Sequence, residues 1–169
     1  MSTSTCMTEE EYLASGIEGN PEFVDGKVIG RGMPTYSHAA WQLAIASWFL
    51  QHAKEWGIRS ATELHVKTAR GWRIPDVSVL DRSYPIEQRV VEHLPVAVFE
   101  VLSPDDRVSD LYDKLRDYAA AGIPEIWVID PGDGVFKQYR SDGSLVPASR
   151  FTFGLMDFPF EEITKLLDN

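Results

Sequence analysis

Apolar side chains recur at helical spacing over one long stretch of the N-terminal half, SHAAWQLAIASWFLQHAKEW, residues 37–56. Gly57 follows directly, and glycine commonly supplies the left-handed residue that ends a helix. The spacing of three and four residues predicts a helix over 37–56. Its apolar positions are Trp41, Ala44, Ile45, Trp48, Phe49 and Ala53.

Three candidate strands follow this helix. The segments IRSATELHVKT (58–68) and WRIPDVSVL (72–80) flank a turn at Gly71, so we expect them to pair as antiparallel strands. PVAVFEVL (95–102) is a nearly unbroken apolar run, which is typical of a strand covered on both faces.

A strand, a helix and another strand then follow one another between residues 96 and 130. The segment 108–122 has an apolar stripe and ends at Gly122, and EIWVID (125–130) is a further buried strand. Two strands joined by a helix predict a right-handed βαβ crossover. The apolar stripe of the helix consists of Val108, Leu111, Leu115, Tyr118 and Ala119.

Shorter elements are predicted at both ends of the chain. MTEEEYLAS (7–15) is typical of a short helix with Thr8 as its N-cap, and EFVDGKVIG (22–30) is typical of a hairpin that turns at Asp25-Gly26. FPFEEITKLLD (158–168) predicts a last short helix.

The order of the central elements is helix, strand, strand, strand, helix, strand (αβββαβ). This order predicts an α/β fold with a mixed central sheet flanked by helices. The sequence contains no internal repeat, low-complexity tract or convincing linker, so we expect a single domain over residues 1–169.

Composition narrows the class of protein. The chain has 169 residues and 44% hydrophobic content, which suits one soluble domain with a full core. It has no apolar run of the roughly 20 residues that a membrane helix needs, and its first residues lack the pattern of a signal peptide. We therefore expect a cytoplasmic protein without a membrane span. Cys6 is the only cysteine, which excludes intramolecular disulfides and cysteine-based zinc sites.

The net charge of −10 bears on binding partners. Proteins that bind nucleic acid tightly and without sequence preference usually carry a basic surface, so the acidity counts against that class. The acidity does not exclude a local basic patch. Some of the acids would also carry less effective charge if they were ligands of a divalent ion.

Two carboxylates occupy unusual positions in the predicted strands. Asp76 follows Pro75 within RIPDVSVL, and Glu100 interrupts VAVFEVL, although acids are depleted in strands and rarely buried without a partner. If the two strands are neighbours, about 4.8 Å apart, both acids can reach one divalent ion, and the carbonyl oxygen of Val101 can complete the protein ligands. The alternative is that each acid ends a strand in water. That alternative suits Asp76 taken alone, but the two acids together favour the metal site.

Lys114 adds a cation to the same region. On a helical wheel it lies beside the apolar stripe, one turn after Asp110. In one interpretation the two residues form a surface ion pair of a few tenths of a kcal/mol. In the other, the helix places Lys114 beside the metal site, where it orients a water or stabilises charge on a pentavalent phosphate.

These motifs carry a resemblance to a known family. PD at 75–76 is followed by EVLSP at 100–104, by D-x-x-x-K at 110–114 and by YAAAGIPEIWVIDP at 118–131. In this order they resemble the Uma-type putative restriction endonuclease family, which belongs to the PD-(D/E)xK nuclease superfamily. The resemblance runs from about residue 22 to residue 140.

The resemblance implies a restriction-endonuclease-like core and hydrolysis of DNA phosphodiester bonds with Mg²⁺ or Mn²⁺. Asp76 and Glu100 match the two metal-binding acids of the family. Leu102 stands where the superfamily usually has its catalytic lysine, and Lys114 matches a lysine that some members supply from the following helix.

Two further residues match the family pattern. Glu22 corresponds to an acid before the first hairpin that would approach the metal, although an exposed hairpin acid is the alternative. His38 corresponds to a histidine at the start of the long helix. There it would contact a phosphate or polarise a water, and the alternative is a local contact at the helix start.

The resemblance also implies DNA as the partner. Basic residues near the site would then meet the DNA backbone, and Trp72 would contact a base or pack in the core. A homodimer is a further expectation, because enzymes that cut both strands often work as dimers. The basic residues are Lys67, Arg70, Arg73 and Arg107.

Two other functions remain open from the sequence. One is a nuclease-fold protein that no longer cuts and serves as a binding or assembly module, which the net charge and the leucine at position 102 favour. The other is a metal-dependent hydrolase of a small phosphoester.

Overall fold

The computed structural model describes residues 6–85, 90–91 and 93–168. Within these residues the helices are α1 (Glu9–Ser15), α2 (Tyr36–Gln51), α3 (Ala53–Trp56), α4 (Val108–Ala121), α5 (Glu161–Thr164) and a 3-10 helix (Lys165–Leu167). The strands are β1 (Glu22–Val24), β2 (Lys27–Ile29), β3 (Ile58–Thr62), β4 (His65–Thr68), β5 (Gly71–Arg73), β6 (Val77–Asp81), β7 (Val90–Val91), β8 (Ala97–Val101), β9 (Glu125–Asp130), β10 (Val135–Tyr139), β11 (Leu145–Pro147), β12 (Arg150–Phe153) and β13 (Met156–Pro159).

The central sheet has six strands in the order β11-β10-β9-β8-β6-β3. Strands β8 and β9 are parallel and are joined by α4, whereas the other neighbours in this sheet pair antiparallel. The predicted α/β fold with a mixed sheet flanked by helices is therefore confirmed, as is the strand-helix-strand unit between residues 96 and 130.

A second sheet lies beside the first, with the strand order β2-β1-β5-β4-β7. Its β1–β2 hairpin turns at Asp25-Gly26, as predicted, and both residues have positive φ. Gly71, at the start of β5, has a φ of 141°, and a Cβ there would collide with the Phe23 carbonyl oxygen. Glycine at this position therefore allows β5 to pair closely with β1.

The two faces of the central sheet are covered by different elements. Helix α2 and the C-terminal segment cover one face, and α4 covers the other. Each fully buried phenylalanine contributes about 1.5–3 kcal/mol through removal from water. The core on the α2 side includes Trp41, Ile45, Phe49, Phe99, Phe136, Phe151, Phe158 and Ile163, and the core on the α4 side includes Val98, Leu115, Tyr118, Ile126 and Val128.

Alternation along β8 explains the direction of Glu100. Phe99 packs in the core on the α2 side, and Val98 packs against α4. Because successive strand residues point to opposite faces, Glu100 shares the α4 face with Val98. A carboxylate in an apolar run is thereby directed toward the helix that follows it in sequence.

Two predicted strands are each divided in the structure. The segment 58–68 forms β3, which belongs to the central sheet, and β4, which belongs to the second sheet. The segment 72–80 forms β5, which belongs to the second sheet, and β6, which belongs to the central sheet. The breaks fall at Glu63, which has a φ of 55°, and at Pro75, which has no backbone N–H to donate to a ladder. The chain crosses from one sheet to the other at these positions.

The predicted helix ends also needed correction. Helix α2 begins at Tyr36 with Thr35 as its N-cap, and the helix is interrupted at His52. At the C-terminus, residues 158 and 159 belong to strand β13, so the last helix begins only at Glu161. The hairpin β12–β13 was not predicted, because each strand is only four residues long.

The predicted stripe of α4 is confirmed for Leu111, Leu115 and Tyr118, but Val108 and Ala119 are exposed. The predicted helix caps are confirmed. Thr8 caps α1 in a capping box with Glu11, and Gly122 ends α4 in the left-handed conformation. Among the helices that the structure describes, none has both the length and the apolar character that crossing a bilayer requires.

Candidate active site

The predicted site residues line one cleft of about 750 Å³. The cleft lies where the second sheet, the N-terminal end of α2 and the ends of β8 and α4 meet. Its walls bring together residues that are far apart in sequence, which is the arrangement expected of an active site. The predicted residues in its lining are Glu22, His38, Asp76, Glu100, Val101 and Lys114.

Asp76 immediately precedes β6 and Glu100 lies on β8, and these two strands are neighbours, as the sequence predicted. Strands β6 and β8 pair antiparallel with Val77 opposite Phe99. Extending this register by one residue places Asp76 opposite Glu100. Both side chains are buried, with 3% and 5% of their residue surface exposed.

Three groups hold the Asp76 carboxylate. The Val101 backbone N–H donates to Oδ2 over 2.7 Å, Arg31 Nη2 lies 3.0 Å from Oδ1, and His38 Nε2 lies 3.4 Å from Oδ1. Burial alone would raise the pKa of Asp76, but the hydrogen bond with His38, the Lys114 charge and the Val101 amide hold it below its ordinary value. Asp76 is therefore ionised at neutral pH.

Glu100 has a different environment on the same cleft wall. Lys114 Nζ lies 2.8 Å from Oε2, and the Tyr118 hydroxyl donates to Oε1 over 2.6 Å. Burial raises the pKa of Glu100 to about 7, since the Lys114 charge offsets it only in part and the charges of Asp76 and Glu22 add to it. A carboxyl that titrates near neutral pH next to an ionised one is a frequent feature of functional sites.

Lys114 points into the cleft. Its amine lies 2.8 Å from Glu100 Oε2 and 3.2 Å from Glu22 Oε1, and it also lies 3.5 Å from the carbonyl oxygen of Ile74. Burial opposes the charge, but the carboxylates of Glu100, Glu22 and Asp76 outweigh it and raise the pKa of Lys114. The amine is therefore a fixed positive charge between two acids, and the interpretation as a surface pair is wrong.

Glu22 is a buried acid and not an exposed hairpin residue. It is 3% exposed, its Oε2 lies 2.8 Å from Arg73 Nη1, and its Oε1 accepts the Ile74 backbone N–H over 2.9 Å. Burial raises the pKa of Glu22, but the charges of Lys114 and Arg73 with these hydrogen bonds lower it overall. Through Lys114 it is connected to Glu100.

His38 connects two walls of the cleft. Its backbone N–H donates to the Thr35 hydroxyl that caps α2, which places the imidazole at the helix start. Nε2 faces Asp76 at 3.4 Å, and Nδ1 lies 3.1 Å from the Ser103 hydroxyl. The hydrogen bond to Asp76 raises the pKa of His38 above its ordinary value, although burial opposes the shift.

Several residues of the site were not found from the sequence. Arg31, on the loop between β2 and α2, contacts Asp76, and the Gln42 side chain donates to the Asp76 carbonyl oxygen over 3.0 Å. Neither belongs to a motif. Tyr118 was assigned to the apolar stripe, but it lies one helical turn after Lys114, and this spacing could have connected it to Glu100.

The predicted DNA contacts are partly wrong. Arg73 is 3% exposed and is enclosed by Glu22 and Asp117, so it cannot meet a DNA backbone. Trp72 is 2% exposed and packs in the core, which confirms the second of its two interpretations.

The other three basic residues have mixed surroundings. Lys67 pairs with Glu9, and its amine lies 4.7 Å from the centroid of the Trp72 ring. Arg70 pairs with carboxylates that include Asp25, and Arg107 is exposed at the cleft. A DNA contact by Lys67, Arg70 or Arg107 stays a prediction.

The cleft offers carboxylate oxygens, the donor type that a small divalent cation prefers. Three buried carboxylates line it, and Mg²⁺ is commonly held by only one or two carboxylates with waters in its other positions. Within the described residues, no group of three or more His, Cys, Asp or Glu is arranged to enclose a metal ion. The carboxylates are instead bound by Lys114, Arg31 and Arg73, so their negative charge is compensated by cations of the chain itself.

Two solved structures align with the chain, and the first of them supports the fold. A putative nuclease belonging to DUF820 from Anabaena variabilis ATCC 29413 aligns with a TM-score of 0.77 and 22% sequence identity, over 95% of this chain and 99% of that chain. The cryo-EM structure of a DrdV–DNA complex aligns with a TM-score of 0.44 and 16% identity, over 78% of this chain and 11% of that chain.

Sequence comparison gives the family. No curated protein matches the chain significantly. The Uma2 family, described as "Putative restriction endonuclease", matches residues 10–156, which include every predicted site residue. The chain therefore belongs to the Uma2 family of putative restriction endonucleases.

Proposed function

We propose that the protein is a metal-dependent endonuclease that hydrolyses DNA phosphodiester bonds. One observation carries the proposal: two buried carboxylates, one on β8 and one just before the neighbouring strand β6, share a cleft with a lysine whose amine lies 2.8 Å from one of them. Membership of the Uma2 family, described as "Putative restriction endonuclease", supports the reaction class, and the carboxylate oxygens suit Mg²⁺ or Mn²⁺.

Each residue has a role in this reaction. Asp76, Glu100 and the Val101 carbonyl oxygen would hold the cation. When bound, a divalent cation supplies Lewis acidity to a phosphate oxygen and lowers the pKa of a water. The Lys114 ammonium positions the attacking water and offsets negative charge that develops on the phosphate. Glu22 fixes the Lys114 amine from its second side.

His38 acts from the wall opposite Lys114. Its Nε2 supports Asp76, and Ser103 fixes the ring through Nδ1. The raised pKa of His38 favours the protonated imidazole, which suits contact with a phosphate oxygen. We assign His38 a supporting role and not that of a metal ligand.

The proposal is tested by incubating the protein with supercoiled plasmid and with single-stranded DNA in Mg²⁺ or Mn²⁺. EDTA-sensitive cleavage is expected. DNA binding without cleavage would instead indicate the binding or assembly module. Hydrolysis of a small phosphodiester such as bis(p-nitrophenyl) phosphate, with DNA left intact, would indicate the third function.

Binding of the cation should depend on pH. Because burial raises the pKa of Glu100 to about 7, a proton competes with the cation below that pH. The affinity for Mn²⁺, measured by calorimetry, is expected to fall about tenfold from about pH 8 to about pH 6. Since the pKa of His38 is also raised, His38→Gln is the control. It should retain the pH dependence, and a flat profile in this variant would assign the titration to His38.

The exposed face of α2 supports the predicted homodimer. None of the 16 residues of α2 is Asp, Glu, Lys or Arg, although the chain carries a net charge of −10. Its outer face shows Tyr36, Leu43 and Leu50, which are 90%, 67% and 65% exposed and are spaced seven residues apart. Two acidic copies can meet through this uncharged stripe without bringing like charges into contact, so we propose a second copy of the chain as its partner.

A charge in this stripe should break the dimer. Leu43→Glu is expected to give a monomer in sedimentation velocity at a concentration where the wild-type protein is a dimer. Leu155→Glu is the matched control, since Leu155 is 76% exposed in the turn between β12 and β13 and does not belong to α2. A monomeric wild-type protein, or a Leu43→Glu variant that remains dimeric, would contradict this interface.

A further inference from the structure

Arg31 is a cation in the cleft to which no role has yet been given. It lies in the loop between β2 and α2, and its side chain is 19% exposed. One guanidinium nitrogen, Nη2, lies 3.0 Å from Asp76 Oδ1, and the other, Nη1, lies 3.1 Å from Glu63 Oε2. The guanidinium thus reaches from a surface loop to a buried carboxylate.

This contact occupies the part of Asp76 that a cation would need. Oδ2 accepts the Val101 backbone N–H, whereas Oδ1 faces Arg31 and His38. A divalent ion held by Asp76 would share Oδ1 with the guanidinium or displace it, because two cations on one oxygen repel each other. Arg31 therefore compensates Asp76 in the absence of a metal ion.

Arg31 is also the cation best placed to move. Among the residues that the structure describes, four Lys or Arg side chains line the cleft: Arg31, Arg73, Arg107 and Lys114. Arg73 is enclosed by buried acids, and Lys114 is fixed between two carboxylates.

Arg31 has a weaker second partner, Glu63, whose side chain is 42% exposed, so this ion pair is screened by solvent. The residues that follow Arg31, from Gly32 to Thr35, are exposed and outside regular structure. The loop consequently has few packing contacts that would hold it in place.

We propose that Arg31 is a phosphate-binding residue that exchanges partners, leaving Asp76 when a divalent cation binds there and contacting the phosphodiester of the substrate. This inference rests on the proposed function. A guanidinium presents paired donors whose geometry matches two phosphate oxygens, which suits it to this contact. Before the cation arrives, Arg31 offsets the charge of Asp76, and afterwards it delivers a positive charge to the phosphate.

The need for such a charge follows from the composition of the cleft. Its lining is rich in acids, and the approach of a phosphodiester is unfavourable unless a cation meets it. Arg107 is exposed at the rim, whereas Arg31 lies against the carboxylate itself. The acids of the lining are Glu22, Glu63, Asp76, Glu100, Asp105, Asp106, Asp110 and Asp113.

The test measures two affinities that the exchange moves in opposite directions. In Arg31→Gln, the affinity for Mn²⁺ without DNA, measured by calorimetry, is expected to rise about fivefold or more, because Asp76 loses its competing cation. The affinity for a short DNA duplex in Ca²⁺, measured by fluorescence anisotropy, is expected to fall about tenfold or more. A residue that only supports the fold would lower both affinities.

Two further variants keep the test decisive. Arg107→Gln is the matched control for loss of a cleft arginine, and it should leave the Mn²⁺ affinity unchanged while weakening DNA binding. Arg31→Lys keeps the charge but not the paired donors, so its Mn²⁺ affinity should stay near that of the wild-type protein and its DNA affinity should fall. If Arg31→Gln fails to fold, Arg31→Met, which also removes the charge, takes its place with the same two expected changes.

The outcomes separate this inference from the proposed function. If the wild-type protein binds Mn²⁺ and DNA but Arg31→Gln leaves the Mn²⁺ affinity unchanged or lowers it, the exchange is overturned and the nuclease proposal stands. If the wild-type protein binds neither Mn²⁺ nor DNA in Ca²⁺, the nuclease proposal itself is overturned.

Discussion

Replacement of Glu100 by glutamine is expected to lower the rate of metal-dependent DNA cleavage by about 10³-fold or more. The amide keeps the size of the side chain and can still accept the Tyr118 hydroxyl, so the fold is retained. The substitution removes the negative charge that binds the cation. It also removes the ion-pair partner of the Lys114 amine. The measurement is the initial rate of nicking of supercoiled plasmid at saturating Mg²⁺.

Glu125 provides a matched control for this substitution. It is a buried glutamate on β9, the strand next to β8, and it accepts the Trp127 indole N–H over 2.9 Å and the Gln138 amide over 3.1 Å. It does not belong to the lining of the cleft. Glu125→Gln should therefore cleave DNA at the wild-type rate. Equal activity of Glu100→Gln and the wild-type protein would refute the role given to Glu100.

Replacement of Lys114 by methionine should lower both activity and stability. Glu22 keeps Arg73 and the Ile74 N–H as partners, but Glu100 keeps only the Tyr118 hydroxyl among the contacts described above. Breaking a buried ion pair by removing one partner costs about 3–5 kcal/mol. We expect a loss of this size in the free energy of unfolding, measured in urea at about pH 8, together with a loss of about 10²-fold in the cleavage rate.

The pH dependence of this loss identifies its cause. Without the Lys114 charge, the pKa of Glu100 in the folded protein rises further above its value in the unfolded chain. A carboxyl with a raised pKa favours folding while it is protonated and disfavours folding as pH rises through its pKa in the folded protein. The loss in Lys114→Met should therefore be smaller at about pH 5.5 than at about pH 8. Lys114→Met/Glu100→Gln should recover much of the stability, and a loss independent of pH in Lys114→Met would contradict this explanation.

The sequence was most informative where one local pattern decided the structure. Strand β8 is an apolar run, α4 carries an apolar stripe at helical spacing, and the strand that follows is again an apolar run. Each pattern fits only one type of element, so the unit from residue 96 to residue 130 was placed correctly. The division of residues 58–68 between two sheets was not predictable in this way. It depends on where the chain crosses from one core to the other, and the apolar pattern continues through the crossing at Glu63.

The candidate site shows the same distinction. The pairing of Asp76 with Glu100 could be expected, because each interrupts a strand and the two strands are close in sequence. Arg31 could not, since a loop residue carries no periodicity and its contact with Asp76 spans 45 positions of the chain. The contacts of Lys114 could not be predicted either. Helical spacing places this residue beside the apolar stripe, but it does not show which residues of other elements lie against it.

The most direct test of the account is the position of a divalent cation in a crystal of the protein soaked in MnCl₂. Anomalous scattering at the manganese edge should show a peak in the cleft, within coordination distance of carboxylate oxygens of both Asp76 and Glu100. The same soak of Glu100→Gln crystals should show no peak there. A peak elsewhere in the wild-type crystal, or a peak that persists in Glu100→Gln, would contradict the proposal that these two acids together form the metal site.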